Sequence, residues 1–123
     1  ALAQAIAAAR VGKHTGDIGF AVQKIVEENG FHIIADLTGH GVGQKLQMPP
    51  TIANFGRPGR GAKLKAGMVL AIEPITALEP VSLTLESDNW TIKATPAVVC
   101  AHFEDTIIVT EREPIILTRL DDD

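Results

Sequence analysis

The sequence predicts an α+β domain, two helices followed by an antiparallel-rich sheet. Two observations carry that reading. The chain up to Gly30 is helix-favouring and amphipathic, and the rest consists of short β-branched runs punctuated by Gly and Pro.

Ala1–Arg10 is alanine-rich and favours a helix, which Val11-Gly12-Lys13 interrupts. Thr15 or Asp17 can cap a second helix, in which Ile18, Val22, Ile25 and Val26 form one apolar stripe. Asn29-Gly30 ends it in a left-handed turn. Phe31–Ala35 then reads as a strand leading into a turn, Thr38-Gly39-His40-Gly41-Val42-Gly43, from which one imidazole reaches out between glycines. From Gln44 to Lys65, Pro and Gly recur and predict a loop. Gly67 opens an apolar strand that closes at Glu73-Pro74. Ile75–Trp90 alternates as a strand with one wet face, and Asp88-Asn89 is a turn. Thr91–Ala94, Val98–Thr110 and Ile115–Thr118 supply the remaining strands, so one domain spans 1–120. Asp121-Asp122-Asp123 is expected to be a disordered acidic tail.

Composition bounds the function. A chain of 123 residues, 46% hydrophobic, supports one cored domain and no second. A net charge of −4 argues against nucleic acid as a direct partner. The cations between Arg57 and Lys65 lack aromatic platforms and read as a solvated loop. Cys100 is the single cysteine, which excludes an internal disulfide and suits a reducing compartment. No apolar run approaches a membrane span, and Ala1–Arg10 lacks signal-peptide features. Ala1–Arg10 also lacks an initiating Met and reads as the middle or end of a helix, as expected of a chain whose start lies elsewhere.

Glu73 and Glu104 are lone carboxylates in otherwise apolar strands, costly to bury unless a cation or donor meets them. Either alone would be read as a strand end paired with a Lys or Arg. Together with His40 they form a nitrogen-and-oxygen ligand set for a divalent metal. His102 shares a strand face with Glu104 and is expected beside the site, supporting the ligands. His14 reads as solvated, His32 as structural, and Cys100 as a small core residue. Trp90 reads as core or as the wall of an apolar pocket.

Gly39-His40-Gly41-Val42-Gly43, Asn54-Phe55-Gly56, Leu64–Val69 with Ile72-Glu73-Pro74, Trp90, and Ala101–Thr106 with Val109-Thr110-Glu111 follow one another in the chain. In that order they closely resemble the C-terminal half of bacterial-type methionine aminopeptidases, from the first helix to about Thr118. The resemblance implies the pita-bread fold, with the two helices packed on a curved sheet. It also implies a centre of two divalent ions, Co, Mn, Fe or Zn. His40, Glu73 and Glu104 would be ligands, with Glu104 bridging, and two further Asp would come from an N-terminal half. Leu46, Gln47 and Trp90 fall at substrate-binding positions, and Gln47 and Glu73 at catalytic ones. The implied activity is removal of N-terminal Met from nascent polypeptides, with metal-activated water as nucleophile. The enzyme would be cytoplasmic, and a monomer when complete, with ribosome association as a further expectation.

Three departures accompany the resemblance. The Asp-bearing half is absent, and Asp17 and Asp36 do not occupy its motifs, so this chain alone is expected to be inactive. Gln47 and Met48 stand where the family has a His and an acidic residue. Asp105 stands where methionine enzymes commonly carry His, as in related proline-specific peptidases. The competing expectations are therefore an Xaa-Pro peptidase of the same fold, or a non-catalytic pita-bread module that binds a protein partner.

Overall fold

The computed structural model describes residues 1–119, so the expected acidic tail falls outside the described residues. Two helices, α1 (Leu2–Ala8) and α2 (Thr15–Glu28), precede ten short strands. The strands are β1 (His32–Ile33), β2 (Gly39–Val42), β3 (Met48–Ile52), β4 (Val69–Ile72), β5 (Ile75–Ala77), β6 (Ser82–Leu85), β7 (Ile92–Thr95), β8 (Cys100–His102), β9 (Asp105–Ile108) and β10 (Ile115–Ile116). They form three antiparallel ladders: a five-stranded sheet ordered β10-β9-β4-β2-β3, a three-stranded sheet β1-β5-β8, and the hairpin β6-β7.

The apolar stripe of α2 is the keel of the core. Ile18, Val22 and Val26 are buried with Ala5 and Ile6 of α1 and its C-cap Ala9, against Ile52, Leu70, Ile72 and Ile107 of the larger sheet and Val109 just past β9. The cap lies one residue before Thr15 and three before Asp17, the two expected caps. His14 is the N-cap, and its backbone N–H donates to Asp17 Oδ2 at 2.7 Å. Thr15 is already helical, and its Oγ1 accepts from the Ala62 N–H instead. Gly30, at φ 76, ends the helix as anticipated.

Two segments read as turn or loop are strands. Residues 39–42 lie within the five-stranded sheet, and their glycines serve close approach rather than left-handed backbone. A Cβ at Gly39 would collide with the Ala71 carbonyl, and one at Gly41 with the Pro49 carbonyl. Residues 48–52 pair with β2 across a register shift between His40 and Gly41. Pro49 and Pro50 are accommodated because β3 is an edge strand, where a missing N–H removes no outer ladder bond. The expected long strands are also shorter or divided: only His32–Ile33 of residues 31–35 pairs, and residues 98–110 split at Phe103-Glu104.

Candidate metal centre

Both lone carboxylates sit where the chain changes sheet. β4 pairs with β9 as far as Ile72↔Asp105, and pairing resumes between β5 and β8 at Ile75↔His102. The residues skipped on one side are Glu73 and Pro74, and on the other Phe103 and Glu104. Pro74 cannot donate to a ladder, while its carbonyl accepts from the Phe103 N–H at 3.2 Å and holds the two breaks together. One bent pair of strands thus delivers Glu73 and Glu104 to the same corner.

His40 reaches that corner from β2, which pairs with β4 at His40↔Ala71. Its Nδ1 lies 2.8 Å from the Gly41 carbonyl oxygen, an acceptor only, which assigns the proton to Nδ1. The Nε2 lone pair then faces Glu73 Oε1 at 3.6 Å, a contact made favourable by a proton or cation between them. His102 approaches the other Glu73 oxygen: its Nε2 is 3.3 Å from Glu73 Oε2 and 3.7 Å from Glu104 Oε2. Glu73 is the inner member, its side chain 13% exposed, while those of His102 and Glu104 are 49% and 44% exposed. Burial raises the Glu73 carboxyl above its ordinary range and the Glu104 charge adds to this, with His102 and His40 pulling the other way.

The donor set suits a divalent ion. Ligands about 2.0–2.2 Å from a tetrahedral ion stand about 3.4 Å from one another, close to the spacing of these nitrogens and oxygens. Donor atoms of Glu73, His102 and Glu104 all lie within 4.8 Å of one another. Mixed imidazole and carboxylate donors do not discriminate sharply among Co, Mn, Fe and Zn.

The other anticipated residues are dispersed around this corner. Gln47 lines a cleft of about 330 Å³ together with Thr38, Gly39, His40 and Met48. Leu46 and Trp90 are 78% and 86% exposed, so Trp90 is not core, and Cys100 is exposed too. Asp105 is buried and turned to other partners, accepting from Thr118 Oγ1 and pairing with Arg119. Asn54 emerges as a support that sequence pattern did not assign a role. Its buried amide donates to the Leu37 carbonyl at 3.2 Å and the Glu73 carbonyl at 2.9 Å, tying the approach to β2 to the end of β4. The signal for it was an Asn beside Phe55-Gly56 inside a Pro- and Gly-rich segment.

A helix-backed set of antiparallel sheets thus carries a His/Glu corner fit to hold a divalent ion. Residues 1–111 match the profile of metallopeptidase family M24, and the chain belongs to that family. It is 43% identical over 110 residues to the methionine aminopeptidase of Clostridium perfringens (strain 13 / Type A), covering 89% of this chain and 44% of that protein. The crystal structure of methionine aminopeptidase from Thermotoga maritima superposes with a TM-score of 0.92 and 41% identity, over 97% of this chain and 48% of that one. A prolidase from Pyrococcus furiosus aligns with a TM-score of 0.70 and 25% identity, over 98% of this chain and 30% of that one. The fold is thus the pita-bread type, and the chain spans under half the length of these proteins, corresponding to the C-terminal half of the methionine aminopeptidases. Among the described residues no helix is long and apolar enough to cross a membrane.

Proposed function

We propose that this chain carries half of the catalytic centre of a cytoplasmic, metal-dependent aminopeptidase that removes N-terminal Met from nascent polypeptides. The observation that carries this reading is the corner where His40 and His102 flank the two oxygens of Glu73, with Glu104 beside them. In the complete protein, His40, Glu73 and Glu104 hold two divalent ions jointly with two Asp from the other half. When bound, these ions supply Lewis acidity toward a water and a peptide carbonyl.

The chain's own groups do the remaining work. Glu73 is the carboxylate we assign to take a proton from the attacking water, because it is the inner acid of the corner, its side chain 13% exposed against 44% for Glu104. Gln47, in the cleft beside His40, orients the substrate by hydrogen bonds; having no titratable proton, it cannot act as an acid. Leu46 and Trp90 present apolar surface to the Met side chain. By themselves these 123 residues lack the Asp ligands, and turnover by this chain alone would refute the assignment of two ligands to another half.

Identity to methionine enzymes well above that to the prolidase favours Met over Xaa-Pro substrates. Asp105 does not argue the other way, since Thr118 and Arg119 occupy it. Gln47 and the missing Asp-bearing half are the features that favour a non-catalytic protein-binding module. The test is to express the full gene product, count bound divalent metal, and assay Met-Ala-Ser and X-Pro peptides. Metal with Met-Ala-Ser cleavage is expected; absence of both would support the binding module. Glu104→Ala is expected to abolish metal binding, and unchanged metal content would remove Glu104 from the ligands.

A further inference from the structure

We propose that His102 is a metal ligand in its own right, completing with Glu73 and Glu104 a three-donor site for one divalent cation on this chain. The inference deepens the metallopeptidase reading and rests on it. Sequence pattern placed His102 only beside the site, and the ligand set implied by resemblance omits it.

Geometry argues for ligation over a simple ion pair. An imidazolium that donates to a carboxylate settles at about 2.7–2.9 Å. His102 Nε2 instead stands 3.3 Å from Glu73 Oε2 and 3.7 Å from Glu104 Oε2. Those separations bracket the edge of about 3.4 Å expected when each donor is about 2.0–2.2 Å from a shared tetrahedral ion. The ring also approaches both carboxylates through the same nitrogen, as a shared ion requires.

The backbone holds this arrangement ready. His102 is fixed by its pairing with Ile75 in the three-stranded sheet, and the next residue donates to the Pro74 carbonyl. Glu73 is anchored through its carbonyl by Asn54. His40 faces the opposite Glu73 oxygen. Glu73 is therefore placed to present one oxygen beside each imidazole. A borderline ion such as Zn²⁺ suits the His102 position, where one nitrogen meets two carboxylates.

The experiment uses the full gene product labelled with ¹⁵N-histidine and titrated with Zn²⁺. Ring-nitrogen chemical shifts distinguish a coordinated nitrogen from a neutral or protonated one. Coordination shifts are expected at Nε2 of both His40 and His102, and His102→Ala is expected to weaken binding of one Zn²⁺ by at least about 100-fold, the upper end of what losing a mere supporting partner costs. His102→Gln should recover little of that loss, because an amide is a poor ligand for Zn²⁺. A shift at His40 alone, with His102 remaining neutral or protonated under saturating Zn²⁺, would overturn the inference while leaving the metallopeptidase reading intact. Failure of the unaltered protein to bind Zn²⁺ or any other divalent ion would overturn both. Should the substituted proteins fold poorly, the shifts of the unaltered protein still decide.

Discussion

The five-stranded sheet and the β6-β7 hairpin are built from similar residues to opposite ends. In the sheet, Leu70, Ile72 and Ile107 are fully buried beneath the two helices. In the hairpin, Leu85, Trp90 and Ile92 stand in solvent, and the two strands pair only with each other. An isolated two-stranded ribbon is marginal in water, so the hairpin's order depends on its turn and on whatever covers it. The sheet supplies rigidity, and the three-stranded β1-β5-β8 ladder meets it at the corner that carries the acids. The chain thus places its candidate ligands on the boundary between a packed part and an open one, where Glu73 is nearly enclosed and His102 and Glu104 are half exposed.

The largest effect expected from breaking this contrast is on the packed side. Leu70→Ala removes a fully buried side chain from the centre of the larger sheet and should cost about 2–5 kcal/mol of folding stability, measured by denaturant unfolding. A loss comparable to a surface substitution would mean that the helices and sheet are not one cooperative unit.

An intermediate effect is expected at Asn54, which ties the packed part to the corner. Asn54→Ala leaves the Leu37 and Glu73 carbonyls without that donor and should destabilise by about 1–3 kcal/mol. It should also weaken divalent-metal binding, measured by calorimetry, because the end of β4 is no longer held. Lower stability with unchanged metal affinity would show that the Asn54 tie serves the fold alone.

On the open side, Trp90→Ala should change stability by no more than about 0.5 kcal/mol, the range for an exposed position. In the full gene product it should raise KM for Met-initiated peptides. A large loss of stability would mean that the hairpin is packed in solution and the contrast with the sheet is wrong.

How much of this was legible in the sequence follows from the range of each signal. The α2 stripe is local, and Ile18, Val22 and Val26 are buried as its spacing implies. Glu73 and Glu104 announced themselves because a carboxylate inside a β-branched run is locally anomalous. That they meet, and that His102 comes within ligand distance of both, depends on a long-range register between β4-β5 and β8-β9 that no local pattern encodes. β3 was hidden because Pro49 and Pro50 read as loop unless the strand is known to be an edge. The glycines around His40 admit neighbouring carbonyls, a close approach that their spacing suggests, but they do so from a strand rather than from a turn. Cys100 reads as core yet is exposed, and of the two readings of Trp90 its exposure removes the core one, because apolar character does not reveal which strands lack a covering layer.

The smallest effect is electrostatic and confined to the hairpin turn. Asp88 accepts from the Trp90 and Thr91 backbone N–H groups and from Thr91 Oγ1. Those hydrogen bonds, the Thr91 hydroxyl first, hold its carboxyl below the ordinary carboxylate range. A depressed carboxyl stabilises the folded form above the unfolded value and loses that contribution as pH falls through the folded one. Amide exchange protection at Trp90 and Thr91 should therefore hold from neutrality down to about pH 4 and decline only under more acidic conditions. Asp88→Asn should remove that pH step and leave protection in β4 and β9 unchanged. An unchanged pH step in Asp88→Asn would show that Asp88 does not hold the turn.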